Sequence, residues 1–282
     1  MKTPQCVTNV SLSSNIFVNL MENSCANIHF KAIIKLAQIC LLGLLTLPSY
    51  VCQAQDTGTP VLLELFTSEG CSSCPPADQL LTEIDREQPI KNVDLIVIGE
   101  HVDYWNHGGW VDPYSSALFS ARQQHYANFS HVDDVYTPQL VVDGTSQVVG
   151  SNWSKARAAI DAASHSRKVA ISLQSTNTGS KSSFTARIGQ DPLITGTEDV
   201  YLVVAADGTS SQVKGGENSS RHLSHTAVAD SITKIGKISP QSAFEKTFEV
   251  PAHSKWGGPV RVIVFVQDPK TGRILGASRA KL

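Results

Sequence analysis

Apolar residues follow two textures along the chain. Between residues 55 and 166, short apolar runs alternate with stretches of helical period; from about Arg167, apolar and polar residues alternate in short segments. Val61 to Phe66 is a run of strand formers interrupted once, by Glu64, and predicts a strand over 60–66. A helix is predicted over 74–86, with Leu80, Leu81 and Ile84 on its apolar face. Pro75 and Pro76 are tolerated there because N–H groups in a first turn have no intrahelical partner. Leu95-Ile-Val-Ile98 predicts a second strand over 93–99. A helix over 115–129 follows, capped by Ser115 or Ser116. Next come a strand ending in a turn at Asp143-Gly144, a short return strand at Gln147–Val149, and an Ala-rich helix over 151–164. Strand and helix alternating with short joins argue for a parallel α/β arrangement.

The later segments are Val169–Leu173, Phe184–Ile188, Val200–Ala206, Phe244–Val250, Val260–Gln267 and Ile274–Leu282. Gly, Ser, Asn, Asp and Pro turns separate them, and helical period is scarce. This reads as an antiparallel β-sandwich. The expected organisation is a leader at 1–54, an α/β domain at 55–166 and a β-sandwich domain at 167–282.

The leader carries a signal peptide at 31–54. Lys31 and Lys35 form its positive region, and the apolar core from Leu36 to Leu47 is short for a membrane span. Pro48 breaks the helix, and Cys52-Gln53-Ala54 offers a cleavage site. An uncleaved anchor is the alternative. The roughly thirty residues upstream have no clear pattern, which makes Met21 a candidate start. The expectation is a secreted or periplasmic protein with no stable membrane span after cleavage.

Charge narrows the partners. A formal net charge of -2 gives no case for nucleic acid or an anionic membrane. The cysteine inventory is more informative. Of Cys6, Cys25, Cys40, Cys52, Cys71 and Cys74, the first four lie in the leader. Cleavage after Ala54 leaves only Cys71 and Cys74, which is no framework of structural disulfides.

Cys71-Ser-Ser-Cys74 stands at a strand-to-helix junction, the arrangement used in dithiol–disulfide chemistry. Free N–H groups and partial positive charge at a helix N-terminus favour a thiolate. Cys71 is therefore the candidate attacking thiolate and Cys74 the resolving thiol. Two other readings stay open. One is half of a metal site, although no second C-x-x-C follows. The other is an inert disulfide, which over so short a loop removes little chain entropy.

The order strand, C-x-x-C, helix, strand, helix, Thr137-Pro138, strand, hairpin, helix resembles the thioredoxin fold. The runs Leu65 to Asp78, His101-Val-Asp-Tyr-Trp105 and Tyr136 to Gly144 resemble the secreted family of unknown function numbered 1223, as do Gly216-Glu217-Asn218 and Val264 to Asp268. The resemblance spans about Pro60 to Leu282 and implies a thioredoxin-like domain with a β-rich C-terminal part; it implies no established activity. From thioredoxin it implies a cis bond at Thr137-Pro138 facing the dithiol, with Pro138 shaping the substrate groove. It also implies a buried carboxylate, here Glu64, able to relay a proton; a solvent-facing or salt-bridged Glu64 is the alternative. Gly70 stands where an aromatic residue commonly precedes the first Cys, and Ser-Ser replaces Gly-Pro between the cysteines.

His101, Asp103 and Trp105 follow the C-terminal end of a strand, where open α/β sheets place their sites. With Thr137 they form the candidate substrate rim, or they pin a long loop. Gly216-Glu217-Asn218, Arg221, His222 and His225 read as a solvated turn that could reach the first site.

The expected function is thiol–disulfide exchange in an exported protein, without a cofactor, on cysteine-containing exported proteins or a redox partner protein. The alternatives are a soft-metal module holding copper through Cys71, Cys74 and His101, and an interaction protein with a locked disulfide.

Overall fold

The computed structural model describes residues 58–130, 134–178 and 181–281. The expected leader and signal peptide lie outside the described residues, as do Cys6, Cys25, Cys40 and Cys52. Residues Gln55–Leu282 form one compact unit.

The described residues hold eleven strands and three helices. In chain order they are β1 (Thr59–Thr67), α1 (Pro75–Glu87), β2 (Val93–His101), α2 (Ala117–Ser130), β3 (Gln139–Val142), β4 (Ser146–Val149), α3 (Trp153–Ser164), β5 (Ile171–Thr178), β6 (Lys181–Ile188), β7 (Glu198–Gln212), β8 (His222–Ile238), β9 (Phe244–Pro251), β10 (Val260–Gln267) and β11 (Ile274–Lys281). The helix starts follow local rules. Cys74 caps α1 with prolines in its first turn, and the Asn152 side chain caps α3 by accepting from Lys155 N–H. Ser116 Oγ accepts from Leu118 N–H at the start of α2.

Eight strands form one mixed sheet in the order β11-β10-β7-β8-β2-β1-β3-β4, and β5, β6 and β9 form a second, smaller one. β1 and β2 run parallel from Thr59 opposite Val93 to Thr67 opposite His101. β8 joins β2 in parallel at Gly99 opposite Val228. That junction suits glycine, because a Cβ at residue 99 would stand 3.2 Å from the Thr226 carbonyl oxygen.

This architecture corrects the expected fold class. The chain is mostly β and is not a thioredoxin-like α/β domain followed by a separate β-sandwich. β7, β8, β10 and β11 continue the sheet that β1 to β4 begin. Two-residue alternation marks strands with two different faces, but it does not say which neighbour a strand pairs with.

Side-chain alternation sorts the core into layers. Leu63 and Leu65 pack with Ala77, Leu81 and Ile84 of α1 and Ile160 of α3. Leu62, Ile96 and Ile98 face the other way, onto Phe119 of α2 and Phe265 of β10. The small sheet covers Val200, Leu202 and Val204 of β7 and Val262, Val264 and Val266 of β10. Arg261 is fully buried and joins Asp85 of α1, at 2.7 and 2.8 Å, to Asp207 of β7.

Candidate functional site

β1 delivers the chain to a tight turn in which Cys71 N–H donates to Ser68 C=O, and Cys71 and Cys74 are joined as a disulfide with Cα atoms 5.4 Å apart. Cys74 C=O accepts from the N–H groups of Ala77 and Asp78 and so opens α1. Ser73 Oγ donates to Cys71 Sγ across 3.3 Å. Ser72 and Ser73 are exposed, yet both cysteines are 0% exposed.

A segment from far along the chain also binds this turn. β7 and β8 form a long hairpin, and its tip, residues 213–221, reaches the cysteine segment. Asn218, fully buried, donates through Nδ2 to Cys71 C=O at 2.8 Å and to Glu69 C=O at 2.9 Å. Glu217 Oε2 accepts from Ser72 N–H at 3.0 Å. Gly215 lies against Gly109, where a Cβ on residue 215 would be 2.2 Å from the Gly109 carbonyl oxygen. Only a residue without a side chain fits there.

Beneath the turn lies a buried polar cluster. Glu69 accepts from Trp110 Nε1 at 2.9 Å and from the Ser211 hydroxyl, and pairs with His225 Nε2 at 3.1 Å. Glu69 N–H donates to Asp112 Oδ2, which also meets His101 Nδ1 at 2.7 Å. His101 and His225 meet edge to face with centroids 4.6 Å apart, and Tyr114 packs on both. Asp78, one helical turn after Cys74, stands 3.8 Å from His225 Nδ1, an ion-pair contact rather than a hydrogen bond. Burial alone would lower the His225 pKa; Asp78 and Glu69 outweigh it and raise the pKa to about 10. His225 is thus a cation at neutral pH. Burial would raise the Asp112 carboxyl, but the contact with His101 and the N–H groups of Glu69 and Tyr114 bring it below its ordinary value. A cavity of about 290 Å³, lined by Pro75, Asp78, Gln79, Ser224 and His225 among others, opens beside this cluster.

The residues singled out from the sequence divide into two groups. His101 is part of the buried cluster. Trp105 lies against Gly70 and donates through Nε1 to Thr137 Oγ1 at 2.8 Å, so Thr137 is tied to the cysteine turn. The Thr137-Pro138 bond is cis. Pro138 C=O accepts from Gly150 N–H, and Gly150 is wedged among Pro138, Leu65 and Ala77 of α1. Asp103, by contrast, is engaged in holding its loop: Ser120 Oγ donates to Asp103 Oδ1 at 2.5 Å and accepts from Asp103 N–H at 3.1 Å. Glu64 lies on the α2 face of β1, opposite the face that packs on α1. It is salt-bridged to Arg122 at 2.6 Å and accepts from Tyr126 OH at 2.5 Å. Glu100 lies 3.7 Å from the same guanidinium; burial, then the Glu64 charge, push its pKa well up.

The ligand set Cys71, Cys74 and His101 is not assembled here. The two sulfurs bond each other, and His101 Nδ1 is engaged by Asp112. Among the described residues no three His, Cys, Asp or Glu side chains form a group able to hold a metal ion. None of their helices is long and apolar enough to cross a membrane.

Glu69 and Asp112 were not singled out from sequence, whereas Glu217, Asn218 and His225 belong to the segment read as a solvated turn that could reach the first site, and here they do reach it. His225 carried a usable signal: it alternates with Leu223 and Ala227 on the buried face of β8, where an unpaired polar residue is costly. Asn218 carried only its place in the Gly216-Glu217-Asn218 run, because a polar residue in a Gly-Gly-Glu-Asn-Ser-Ser stretch looks solvated.

Fold and site together describe a mixed-sheet protein with a buried Cys-Ser-Ser-Cys disulfide, whose backbone is hydrogen-bonded by a hairpin from the second half of the chain. The chain belongs to the family described as "Protein of unknown function (DUF1223)", whose profile matches residues 62–267. No curated protein matches the chain. The chain is similar to a crystal structure of an Agrobacterium tumefaciens protein, with 25% identity, a TM-score of 0.62, and coverage of 79% of this chain and 94% of that one. It is also similar in fold to HBP35 of Porphyromonas gingivalis, with 14% identity, a TM-score of 0.56, and coverage of 80% and 76%.

Proposed function

We propose that this is an exported protein that exchanges thiols and disulfides through Cys71 and Cys74. The observation that carries the reading is the disulfide itself, formed at the N-terminus of α1. Helix N–H groups and the positive end of the macrodipole stabilise a thiolate at that position. An incoming thiol loses its proton and its sulfur bonds to Cys71 Sγ. The Cys71–Cys74 bond breaks, its electron pair leaves on Cys74 Sγ, and Cys74 takes up a proton. The second thiol of the partner then attacks its own sulfur in the mixed disulfide. This releases an oxidised partner and leaves both cysteines reduced; the reverse sequence reduces a partner disulfide. The partners are cysteine-containing exported proteins or a redox partner protein. Support for export comes from the leader expected at 31–54.

The complete burial of both cysteines favours a second reading, an interaction protein whose disulfide is locked. A redox titration separates the two. The full chain is equilibrated in mixtures of reduced and oxidised dithiothreitol, quenched by alkylation, and the peptide holding Cys71 and Cys74 is quantified by mass spectrometry. A reversible two-electron transition of the folded protein supports exchange. A pair that stays oxidised until the protein unfolds establishes the locked disulfide instead.

A further inference from the structure

Both sulfurs are shielded from solvent, and the segment that carries them is held by a loop from more than a hundred residues away. We propose that the hairpin tip at 213–221 is a latch: it covers the Cys71–Cys74 disulfide in the closed molecule and lifts before a thiolate reaches Cys71. This inference rests on the exchange reading and concerns how that same site is regulated.

The tip is built to move as a unit. Val213 N–H donates to Arg221 C=O, Ser220 N–H to Val213 C=O, and Ser219 N–H to Gly216 C=O, so its internal bonds survive a swing about the ends of β7 and β8. Its hold on the cysteine segment consists of polar contacts, two from Asn218 and one from Glu217. Its seat on the loop at 103–113 is a contact of Gly215 with Gly109. Val213, at the base of the tip, is buried, but residues 214–221 contribute nothing to the apolar clusters of the core, so lifting the tip beyond Val213 leaves the packed layers intact.

Asn218 adds a reason to open. Its Oδ1 is buried and has no hydrogen-bond partner among the described residues. A buried acceptor without a donor raises the free energy of the closed form relative to an open form in which water reaches it. The latch is therefore held, but not held as firmly as its burial suggests. Asn218 touches the backbone of Cys71 and not the reacting sulfur bond, so it acts by positioning and shielding.

The test is the rate at which dithiothreitol reduces the Cys71–Cys74 pair in the folded full chain, quenched and quantified as above. Three variants loosen the latch by different means: Asn218→Ala removes two donated bonds, Glu217→Ala removes one from the exposed side, and Gly215→Ala pushes the tip off Gly109 without removing any polar group. Reduction is expected to accelerate about tenfold in Asn218→Ala and roughly two- to threefold in Glu217→Ala, the factors that loss of such bonds gives. Gly215→Ala is expected to resemble Asn218→Ala. Glu217 is exposed, so its variant keeps the test open if the others fold poorly. Variants reduced no faster than wild type, with wild type itself reduced, overturn the latch and leave exchange standing. If neither wild type nor any variant is reduced while folded, the exchange reading fails and the latch falls with it.

Discussion

His225 Nε2 lies 3.1 Å from Glu69 Oε1, although 156 residues separate the two in the chain. The pair ties β8 to the turn that presents the disulfide, and the Asp78 carboxylate on the first turn of α1 completes the surroundings of the imidazole. Glu69 is fully buried and receives three donors, so it stays where the turn needs it.

Stability is expected to decline from neutral toward alkaline pH. The folded-state pKa of His225 is about 10, above the ordinary value of 6.5. A raised pKa means that the contribution is fully present below about pH 6.5 and is lost as pH rises through the folded value. Denaturant unfolding at intervals from pH 6 to pH 10 should show a progressive loss, and His225→Gln should flatten that slope. His225→Gln should also destabilise at neutral pH by about 3–5 kcal/mol, because Glu69 keeps a buried charge without its cation. An unchanged slope in the variant would sink the assignment.

The two thiols are expected to differ in reactivity after reduction. With Cys74→Ser, the remaining Cys71 should alkylate faster at neutral pH than the remaining Cys74 does in Cys71→Ser. The motive is the position of Cys71 ahead of the α1 N-terminus beside Ser73 Oγ. Alkylation rates measured against pH in both variants, with peptide-level quantification, decide it. Faster reaction at Cys74 reverses the proposed roles.

Glu64 is expected to act through Arg122 and not through the dithiol. Glu64→Gln should leave the pH profile of dithiothreitol reduction unchanged. Arg122→Met should cost about 3–5 kcal/mol, since Glu64 then stands in the core without its cation. A shifted pH profile in Glu64→Gln would restore it as a proton carrier.

Acid is expected to weaken the link between α1 and the far part of the sheet. Burial would raise the Asp85 and Asp207 carboxyls, but Arg261 and neighbouring cations hold both below the ordinary value of 3.8. For depressed pKa values the contribution is present above the ordinary value and is lost as pH falls through the folded values. Unfolding curves between pH 5 and pH 2 should steepen this loss in wild type relative to Arg261→Met. Equal acid sensitivity in the two proteins would count against the network.

Much of the local structure was legible because local chemistry decides it. The run Val61–Phe66 became β1, Pro75 and Pro76 fixed where α1 starts, and the Ala-rich stretch became α3. The cysteine pair was legible as well, since a three-residue separation at a helix start leaves the sulfurs within bonding reach. Asp103 and Glu64 each kept two readings open for one reason: a polar residue near a site looks the same whether it faces the reaction or a partner such as Ser120 or Arg122. A sequence lists donors and acceptors without saying which ones meet.

By itself, then, the sequence determined the strands and helices of the first half, the strand texture of the second, and the dithiol with its position. These depend on period, caps and spacing, which act over a few residues. Only the tertiary structure decided that β8 would join β2 at Gly99 and merge both halves into one sheet. That single junction brings residues 213–225 to the cysteine turn. It makes Asn218 and His225, otherwise an ordinary loop residue and an ordinary strand residue, neighbours of Glu69 and Cys71. The physical reason is that strand pairing across more than a hundred residues is settled by which faces can be buried together, a property of the assembled layers and not of any one segment.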